Sequence, residues 1–260
     1  FNSYSCSSSG GSQRIILSNK YSDHLHIRPS TINIRNTRFN RCYSKSDGGA
    51  VSITNDKFVQ YAVTIFNSAF YNNTSGRQGG ALFVSCTNLI LINNCRFYLN
   101  YAVNGGAVAL YTSSNFTFEN SQAIILTSFL NNTAEKLGGG FYVHKSANLT
   151  TIRSLFYQNK ASDGGAMFLN NLTVLEISRT TYILNQAYRL SGAIETKRVS
   201  KSRYNNCAFK LNSASKRAGA IGSMFGNQYF CKCTFLRNKF MAIYIHLGGI
   251  VLIENCTLKN

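Results

Sequence analysis

A short sequence element recurs along the whole chain, and it limits the possible folds more than any other feature. Each copy has an aromatic residue, an Asn three positions later, and then a Gly-Gly-Ala-like turn followed by an apolar residue. One copy has Phe70, Asn73 and the sequence Gly-Gly-Ala-Leu at residues 79–82. From Phe39 onward, the aromatic position returns every 23 to 32 residues. A period of this length is typical of solenoid proteins, in which each repeat packs on its neighbours.

The segments between the turns are predicted to be β-strands. They are short and rich in Ile, Val, Leu, Phe, Tyr and Thr, as at residues 89–92 and 174–177, and they lack a continuous helical periodicity. If each repeat forms one coil, stacking at the ~4.8 Å spacing of hydrogen-bonded strands gives an all-β fold, a single parallel β-helix of about nine coils. The domain is expected to span residues 1–260, with an irregular first coil at residues 1–34 and degenerate last coils at residues 231–260.

Three columns of side chains are predicted inside this solenoid. The aromatic residues should stack from coil to coil; they are Phe39, Phe70, Phe97, Phe129, Phe156, Tyr182, Phe209 and Phe235. Two residues earlier, on the same inward face, small side chains recur; they are Thr37, Ser68, Cys95, Thr127, Ser154, Thr180, Cys207, Cys233 and Cys256. The Asn residues should link the coils through side-chain amides at a buried bend; they are Asn73, Asn100, Asn132, Asn159, Asn185, Asn212 and Asn238.

The repeated Phe-x-x-Asn and Gly-Gly-Ala-(Ile/Leu/Val) elements resemble the repeats of the chlamydial polymorphic outer membrane proteins. Related repeats occur in other bacterial and protist surface proteins. The resemblance covers nearly the whole chain, through units such as Phe97 to Asn100 and Phe209 to Asn212. It implies a right-handed β-helix exposed at the cell surface, often with an adhesive role, and it carries no catalytic residues.

The chain is strongly basic, with 27 Lys and Arg residues against 9 Asp and Glu residues and a formal net charge of +18. Such a charge favours polyanionic partners such as an acidic glycan, nucleic acid or an anionic membrane surface, although a solvated rod would also tolerate it. Basic residues recur just before the Gly-Gly turns and again at residues 197–203, and these are the candidates for polyanion binding: Lys45, Arg77, Lys136, Arg189, Lys216, Arg217, Lys197, Arg198, Lys201 and Arg203. No motif for sequence-specific nucleic-acid recognition is found.

The acidic residues argue against catalysis. A β-helix also hosts polysaccharide lyases and hydrolases, which require clustered carboxylates as Ca²⁺ ligands or as an acid–base pair. Asp47 and Asp163 share a position before the turn but lie four coils apart, and Glu195 occupies a different position in its coil. We therefore predict a structural or adhesive scaffold without catalytic residues or cofactor. A lyase or hydrolase acting on acidic glycans is the alternative.

Some His and Cys residues have spacings relevant to metal binding or disulfide formation. His24 and His26 could begin a metal site, but a third ligand in matching register is missing, so no metal is predicted. Cys207, Cys233 and Cys256 should stack on consecutive coils, within the distance range of a disulfide.

Asn-x-Ser/Thr glycosylation acceptors occur about as often as chance predicts. They are Asn72, Asn73, Asn115, Asn131, Asn148, Asn171 and Asn255.

The predicted location is extracellular or at the cell surface, without a transmembrane segment, because no apolar run approaches the ~20 residues that span a bilayer. Residues 1–12 and 255–260 both read as parts of a coil. Either the solenoid belongs to a longer chain, or the tail of one molecule stacks on the head of the next and forms filaments.

Overall fold

The computed structural model describes residues 2–5, 13–17, 30–55, 61–85, 89–111 and 121–259. Within these ranges the regular elements are all β-strands, and they form three sheets of parallel strands. The predicted all-β parallel solenoid is therefore confirmed. Each turn of the solenoid passes through the three sheets in the same order, so each sheet forms one side of the molecule.

We name the sheets the aromatic sheet, the turn sheet and the long sheet. The aromatic sheet has ten strands: Asn2–Ser5, Thr37–Asn40, Ala69–Tyr71, Arg96–Tyr98, Ser128–Leu130, Leu155–Tyr157, Thr181–Ile183, Ala208–Lys210, Thr234–Leu236 and Thr257–Lys259. The turn sheet has seven: Tyr43–Ser44, Thr74–Ser75, Tyr101–Asn104, Thr133–Leu137, Lys160–Ala161, Gln186–Ala187 and Ser213–Ala214. The long sheet has thirteen: Gln13–Leu17, Ser30–Arg35, Val51–Asn55, Tyr61–Phe66, Leu82–Ser85, Leu89–Asn93, Val108–Tyr111, Ser121–Ile125, Phe141–Ile152, Met167–Ser178, Ile194–Asn205, Ala218–Cys231 and Met241–Glu254.

The strands of the aromatic sheet pair in register, so that equivalent residues of neighbouring repeats lie side by side. Phe70 pairs with Phe39 on one side and with Phe97 on the other. Eight such steps lead from Phe39 to Leu258, slightly fewer turns than the nine coils expected. The strand Asn2–Ser5 pairs with Thr37–Asn40 and belongs to the preceding turn.

The aromatic residues form a continuous stack in the core. Ring centroids of successive members lie 4.6 to 5.0 Å apart with interplanar angles of 4° to 11°. This spacing is that of hydrogen-bonded strands, because the rings project from paired positions. Phe129, Phe156 and Phe209 are completely buried.

The buried Asn residues cross-link the coils at the bend between the aromatic and turn sheets. The side-chain amide of Asn132 donates to the Asn159 Oδ1 at 3.0 Å and to the Phe97 carbonyl at 3.1 Å, while the Asn159 Oδ1 also accepts the Asn132 backbone N–H. The same pattern continues through Asn185 and Asn212. Asn is suited to this position because its short side chain carries both a donor and an acceptor, which leaves no buried amide group unpaired.

The Gly-Gly turns are required by close backbone contacts. Gly79 has a φ of +63°, which is unfavourable for residues with a Cβ. A Cβ on Gly80 would lie 2.0 Å from the Gly106 carbonyl oxygen of the next coil. The first Gly therefore sets the turn conformation, and the second lets neighbouring turns approach each other.

The inward small residues include the stacked cysteines. Cys207 and Cys233 are buried free thiols on consecutive coils, and the hydrogen bond that they share, together with burial, raises the pKa of Cys233. Cys256 is also free, and its Sγ accepts the Cys233 backbone N–H at 3.3 Å. Cys42, by contrast, is disulfide-bonded.

We expect Phe156→Ala to lower the free energy of unfolding by about 3–5 kcal/mol, because it removes a buried ring from the middle of the stack. Tyr157→Ala is the matched control, since the neighbouring side chain is only half-buried, and it should cost about 1 kcal/mol or less. Urea denaturation followed by circular dichroism measures both. Equal losses for the two variants would contradict the proposed stacking contribution.

Candidate binding surface on the turn edge and the long sheet

The basic residues predicted before the Gly-Gly turns lie at the edge where the turn sheet leads into the long sheet. We call this the turn edge. Lys45, Arg77, Lys136, Arg189 and Lys216 are exposed there, and Arg217 is half-buried. All six predicted side chains thus reach one edge of the solenoid.

Backbone hydrogen bonds join the turn edges of neighbouring coils. The N–H of Lys216 donates to the Arg189 carbonyl, and the N–H of Arg189 donates to the Ser162 carbonyl, each at 2.9 Å. In the first coils the N–H of Arg77 donates instead to the carbonyl of Ser46. In these parallel pairs an N–H bonds the carbonyl of the residue that precedes its partner. Arg189 therefore lies opposite Asp163, so an acidic residue interrupts the basic stripe there.

Two cations of the turn edge are neutralised within the protein. The Arg189 guanidinium binds the fully buried Asp163 carboxylate, with Nε and Oδ1 2.9 Å apart. The Arg217 Nη1 lies 3.5 Å from Oε1 of the buried Glu195. Among the described residues, Lys136 has no acidic partner within 4.0 Å, so its charge faces solvent. The same holds for Arg77 and Lys216.

The second predicted basic group lies on the strand Ile194–Asn205 of the long sheet. The Lys197 amine sits over the Phe168 ring at 5.1 Å, and the Lys201 amine over the Tyr229 ring at 5.4 Å. Arg203 pairs with Glu176 at 2.7 Å, and Arg198 is exposed at a bend with a φ of 53°. Aromatic rings orient two of these cations, and one carboxylate neutralises a third.

An additional row of polar side chains was missed by the sequence analysis. Tyr111, His144, Asn170 and Lys197 occupy paired positions on four successive strands of the long sheet, and we call them the outer row. The rings of Tyr111 and His144 lie 5.1 Å apart, and the Asn170 amide nitrogen lies 3.1 Å from the His144 Nδ1.

A small cluster of buried aromatic side chains packs against the outer row at Tyr111. Phe83, Tyr142 and Phe168 are almost completely buried, although they lie outside the main core. Each comes two residues after the Ala or Gly that ends a Gly-Gly-Ala-like turn. The members of the outer row come two residues later still, and this fixed distance from the turn is the signal from which the row could have been found.

Glu195 occupies the same position in its coil and is completely buried. Burial raises the pKa of this carboxyl, while the Ser191 hydroxyl, Arg217 and Lys197 oppose the rise and Asp163 adds to it. The field of Asp163 therefore reaches Glu195, although the two acids occupy different positions in their coils. The four groups lie on three consecutive coils, with Arg189 and Glu195 on the middle one, and each acid pairs with an Arg of the next coil. We call Asp163, Arg189, Glu195 and Arg217 the charge ladder.

The charge ladder does not present a carboxylate pair to solvent. Both acids are fully buried, and each is held by an Arg of the following coil. Its direct effect is to fix the side chains of the turn edge.

The remaining predicted sites are placed as follows. His24, His26 and Asn115 lie outside the described residues. In the described ranges, no group of three or more His, Cys, Asp or Glu side chains could hold a metal ion. The part of the chain with described structure also contains no helix suited to crossing a membrane.

The glycosylation acceptors differ in accessibility. Asn72 and Asn255 are exposed, and Asn131, Asn148 and Asn171 are half-buried. Asn73 is completely buried, and its amide donates to the Asn100 Oδ1 at 2.9 Å. Asn73 is therefore a member of the Asn column and is closed to modification in the folded chain.

The comparison with family models agrees with this architecture. The model described as the right handed beta helix region matches residues 81–260. The chain belongs to the right-handed β-helix family. The Chlamydia polymorphic membrane protein repeat matches residues 67–85 of this β-helix, which contain Phe70, Asn73 and the turn at residues 79–82. The resemblance noted in the sequence is thereby confirmed.

Curated relatives include two proteins of Dictyostelium discoideum. This β-helix is 30% identical over 158 residues to metabotropic glutamate receptor-like protein Q, covering 59% of this chain and 12% of that protein. It is 26% identical over 213 residues to metabotropic glutamate receptor-like protein R, covering 82% of this chain and 11% of that protein. The β-helix thus corresponds to about a ninth to an eighth of these relatives. No solved structure matches it significantly.

The pKa of Glu195 predicts a pH dependence of stability. Because the pKa is raised above its ordinary value of 4.5, the folded state binds this proton more tightly than the unfolded state does. The free energy of unfolding should therefore fall as the pH rises from about 4.5 through the raised pKa. Glu195→Gln cannot ionise and should lack this decrease.

Urea midpoints of wild type and variant, measured at closely spaced pH values, test this expectation. Glu176→Gln is the control, because that carboxylate is half-exposed and pairs with Arg203 at the surface. If the decrease in stability persists in Glu195→Gln and disappears in Glu176→Gln, Glu176 causes the pH dependence and the expectation for Glu195 is wrong.

Proposed function

We propose that this β-helix is a non-catalytic, adhesive scaffold of the cell surface that binds acidic polysaccharide along the turn edge. The observation that carries the proposal is the row of exposed cations without acidic partners, Arg77, Lys136 and Lys216, on one edge of the solenoid. Lys197 of the outer row extends the same basic region onto the long sheet.

The regular spacing of the coils favours a repetitive ligand. Neighbouring coils are separated by ~4.8 Å, so Arg77 and Lys136 lie two coils or about 10 Å apart, and Lys136 and Lys216 three coils or about 14 Å apart. An extended polyanion can therefore contact all three with acidic groups spaced along its length. Each contact with an exposed Lys or Arg is weak, but several contacts on one polymer act together as avidity. The net charge of +18 additionally accelerates the encounter with a polyanion.

The long-sheet side adds groups suited to sugars. The Tyr111 hydroxyl, the Asn170 amide and the His144 imidazole provide donors and acceptors next to an aromatic cluster. Binding sites commonly combine apolar surface with a few such polar groups. These features favour a glycan over a nucleic acid, since no base-reading motif accompanies the cations.

The proposed location rests on three observations. The chain carries a repeat of the Chlamydia polymorphic membrane protein type, and curated relatives are named as receptor-like proteins. Cys42 is disulfide-bonded, and disulfides persist in oxidising compartments such as the cell exterior.

The alternative of a lyase or hydrolase draws on one feature, the electrostatic proximity of Asp163 and Glu195. Catalysis on a polysaccharide requires carboxyl groups that reach the scissile bond. Here both groups are buried beneath the turn edge and paired with Arg side chains, which favours a structural role.

We expect the triple variant Lys136→Gln, Lys197→Gln, Lys216→Gln to bind a heparin-like polysaccharide at least tenfold more weakly than wild type. About 1.4 kcal/mol of lost binding energy corresponds to that factor. Isothermal titration calorimetry at several salt concentrations measures the change and its ionic component.

The matched control is Arg153→Gln, Lys232→Gln, Arg237→Gln, which removes the same charge from the corners of the aromatic sheet. Equal weakening by both triple variants would mean that net charge alone governs binding and would reject the turn edge as the site. Release of new reducing or unsaturated ends from the polysaccharide, abolished by Glu195→Gln, would instead support the enzyme.

End-to-end association is a further part of the proposal. In the described structure, the last long-sheet strand pairs only with Ala218–Cys231, and Ile250, Leu252 and Leu258 are exposed beside it. Stacking a second copy on this surface would bury these side chains and pair the strand edge.

We expect the sedimentation coefficient to rise with protein concentration and unbranched fibres to be visible by electron microscopy. Leu252→Lys should prevent both. Short, monodisperse wild-type rods at high concentration would exclude end-to-end association.

A further inference from the structure

Four leucines occupy a backbone conformation that suits them poorly. Leu99, Leu126, Leu184 and Leu211 have φ values of 50° to 56° at the corners of the aromatic sheet. Asn94 and Asn131 fill equivalent corners in other coils, and Asn tolerates this left-handed region better than residues with larger side chains. Local backbone energetics therefore favour Asn over Leu at these positions.

The same leucines are also exposed to solvent. Their exposed fractions are 45% for Leu99, 51% for Leu126, 39% for Leu184 and 46% for Leu211. Each one thus combines an unfavourable backbone conformation with an exposed apolar side chain. Neither packing in the core nor the turn geometry accounts for this choice of residue.

Three of these leucines belong to one continuous surface. The outward side chains of the aromatic sheet between them are also largely apolar, and we define the leucine face as Leu126, Leu130, Leu155, Ile183, Leu184 and Leu211. The paired strands place Leu130 beside Tyr157, and Tyr157 beside Ile183. The face spans four coils and the width of one strand with its corners, about 15–20 Å in each direction. Apolar patches of this size on a soluble surface are commonly interaction sites.

Cations surround the leucine face, and acids are absent from it. The five aromatic-sheet segments at residues 126–131, 153–158, 179–184, 206–211 and 232–237 contain no Asp or Glu. They contain five basic residues, namely Arg153, Arg179, Lys210, Lys232 and Arg237. None of the five forms an ion pair with another described residue.

We propose that the leucine face docks on an anionic lipid bilayer. A flat sheet with apolar side chains at its centre and cations around them matches the interface of such a bilayer, where apolar groups enter the headgroup region and Lys or Arg pairs with phosphates. A second copy of this chain is disfavoured as the occupant, because the unpaired cations of the two faces would repel each other.

This site goes beyond the proposed polysaccharide function and lies on a different side of the solenoid. The turn edge belongs to the turn and long sheets, whereas the leucine face belongs to the aromatic sheet. The two surfaces are therefore able to act at the same time, with the scaffold lying along a membrane and its turn edge free for a glycan.

The test uses the 260-residue chain and two kinds of vesicle, phosphatidylcholine alone and phosphatidylcholine with phosphatidylserine. We expect cosedimentation with the phosphatidylserine vesicles and at least tenfold weaker binding to phosphatidylcholine alone. The triple variant Leu126→Asn, Leu184→Asn, Leu211→Asn should weaken binding to the anionic vesicles at least tenfold. Its thermal midpoint should equal or exceed that of wild type, because Asn suits the left-handed corners.

Two controls separate this site from the turn edge. Arg153→Gln with Arg179→Gln should also weaken vesicle binding and reduce its salt dependence. The turn-edge variant Lys136→Gln, Lys197→Gln, Lys216→Gln should retain vesicle binding while losing polysaccharide binding, so that the two proposals succeed or fail separately.

Three outcomes would overturn the proposal. Wild type that binds neither vesicle excludes a lipid surface and leaves a protein partner for the face. Equal binding to both vesicles excludes a role for anionic headgroups. If the triple Asn variant binds as tightly as wild type, the leucine face is not the binding site, and the binding reflects only the general attraction of a basic protein to anionic lipid.

Discussion

In-register hydrogen bonding between successive coils is the constraint on which the rest of the structure depends. Because each strand pairs with its counterpart one repeat away, a residue type chosen at one position becomes a column along the molecule. Columns favour side chains that interact well with copies of themselves. Phenyl rings stack, and Asn amides both donate and accept. If a residue that cannot pair with copies of itself occupied such a column, it would leave an unpaired polar group or an exposed charge in every coil.

The inward columns were predictable from sequence because the buried positions recur once in every repeat. Phe156 and Asn159 recur at a fixed separation, and the Gly-Gly pair marks each turn, so fold, register and core followed from the repeat. Only the number of turns differed slightly. The Asn73 acceptor could also have been excluded, since its place in the Asn column already implied burial.

Contacts on the outer surface were harder to predict, because they depend on side chains that reach across coils. Asp163 and Glu195 differ in their sequence positions, yet the charge of Asp163 still adds to the raised pKa of Glu195. The turn edge likewise brings Arg189 beside the Asp163 carboxylate of the preceding coil, which the pattern of basic residues does not indicate. The inward pattern carries no information about such contacts, since they lie outside the core.

The charge ladder also has a consequence for how the molecule unfolds. In a solenoid each coil contacts only its neighbours, so unfolding can begin at an end and move along the rod one coil at a time. Asp163, Glu195 and their arginines tie consecutive coils together beyond the backbone contacts, and removal of one coil would leave a buried carboxylate without its cation. Unfolding that moves along the rod from the Arg217 side should therefore pause at the ladder, which makes the ladder a boundary between two separately cooperative segments.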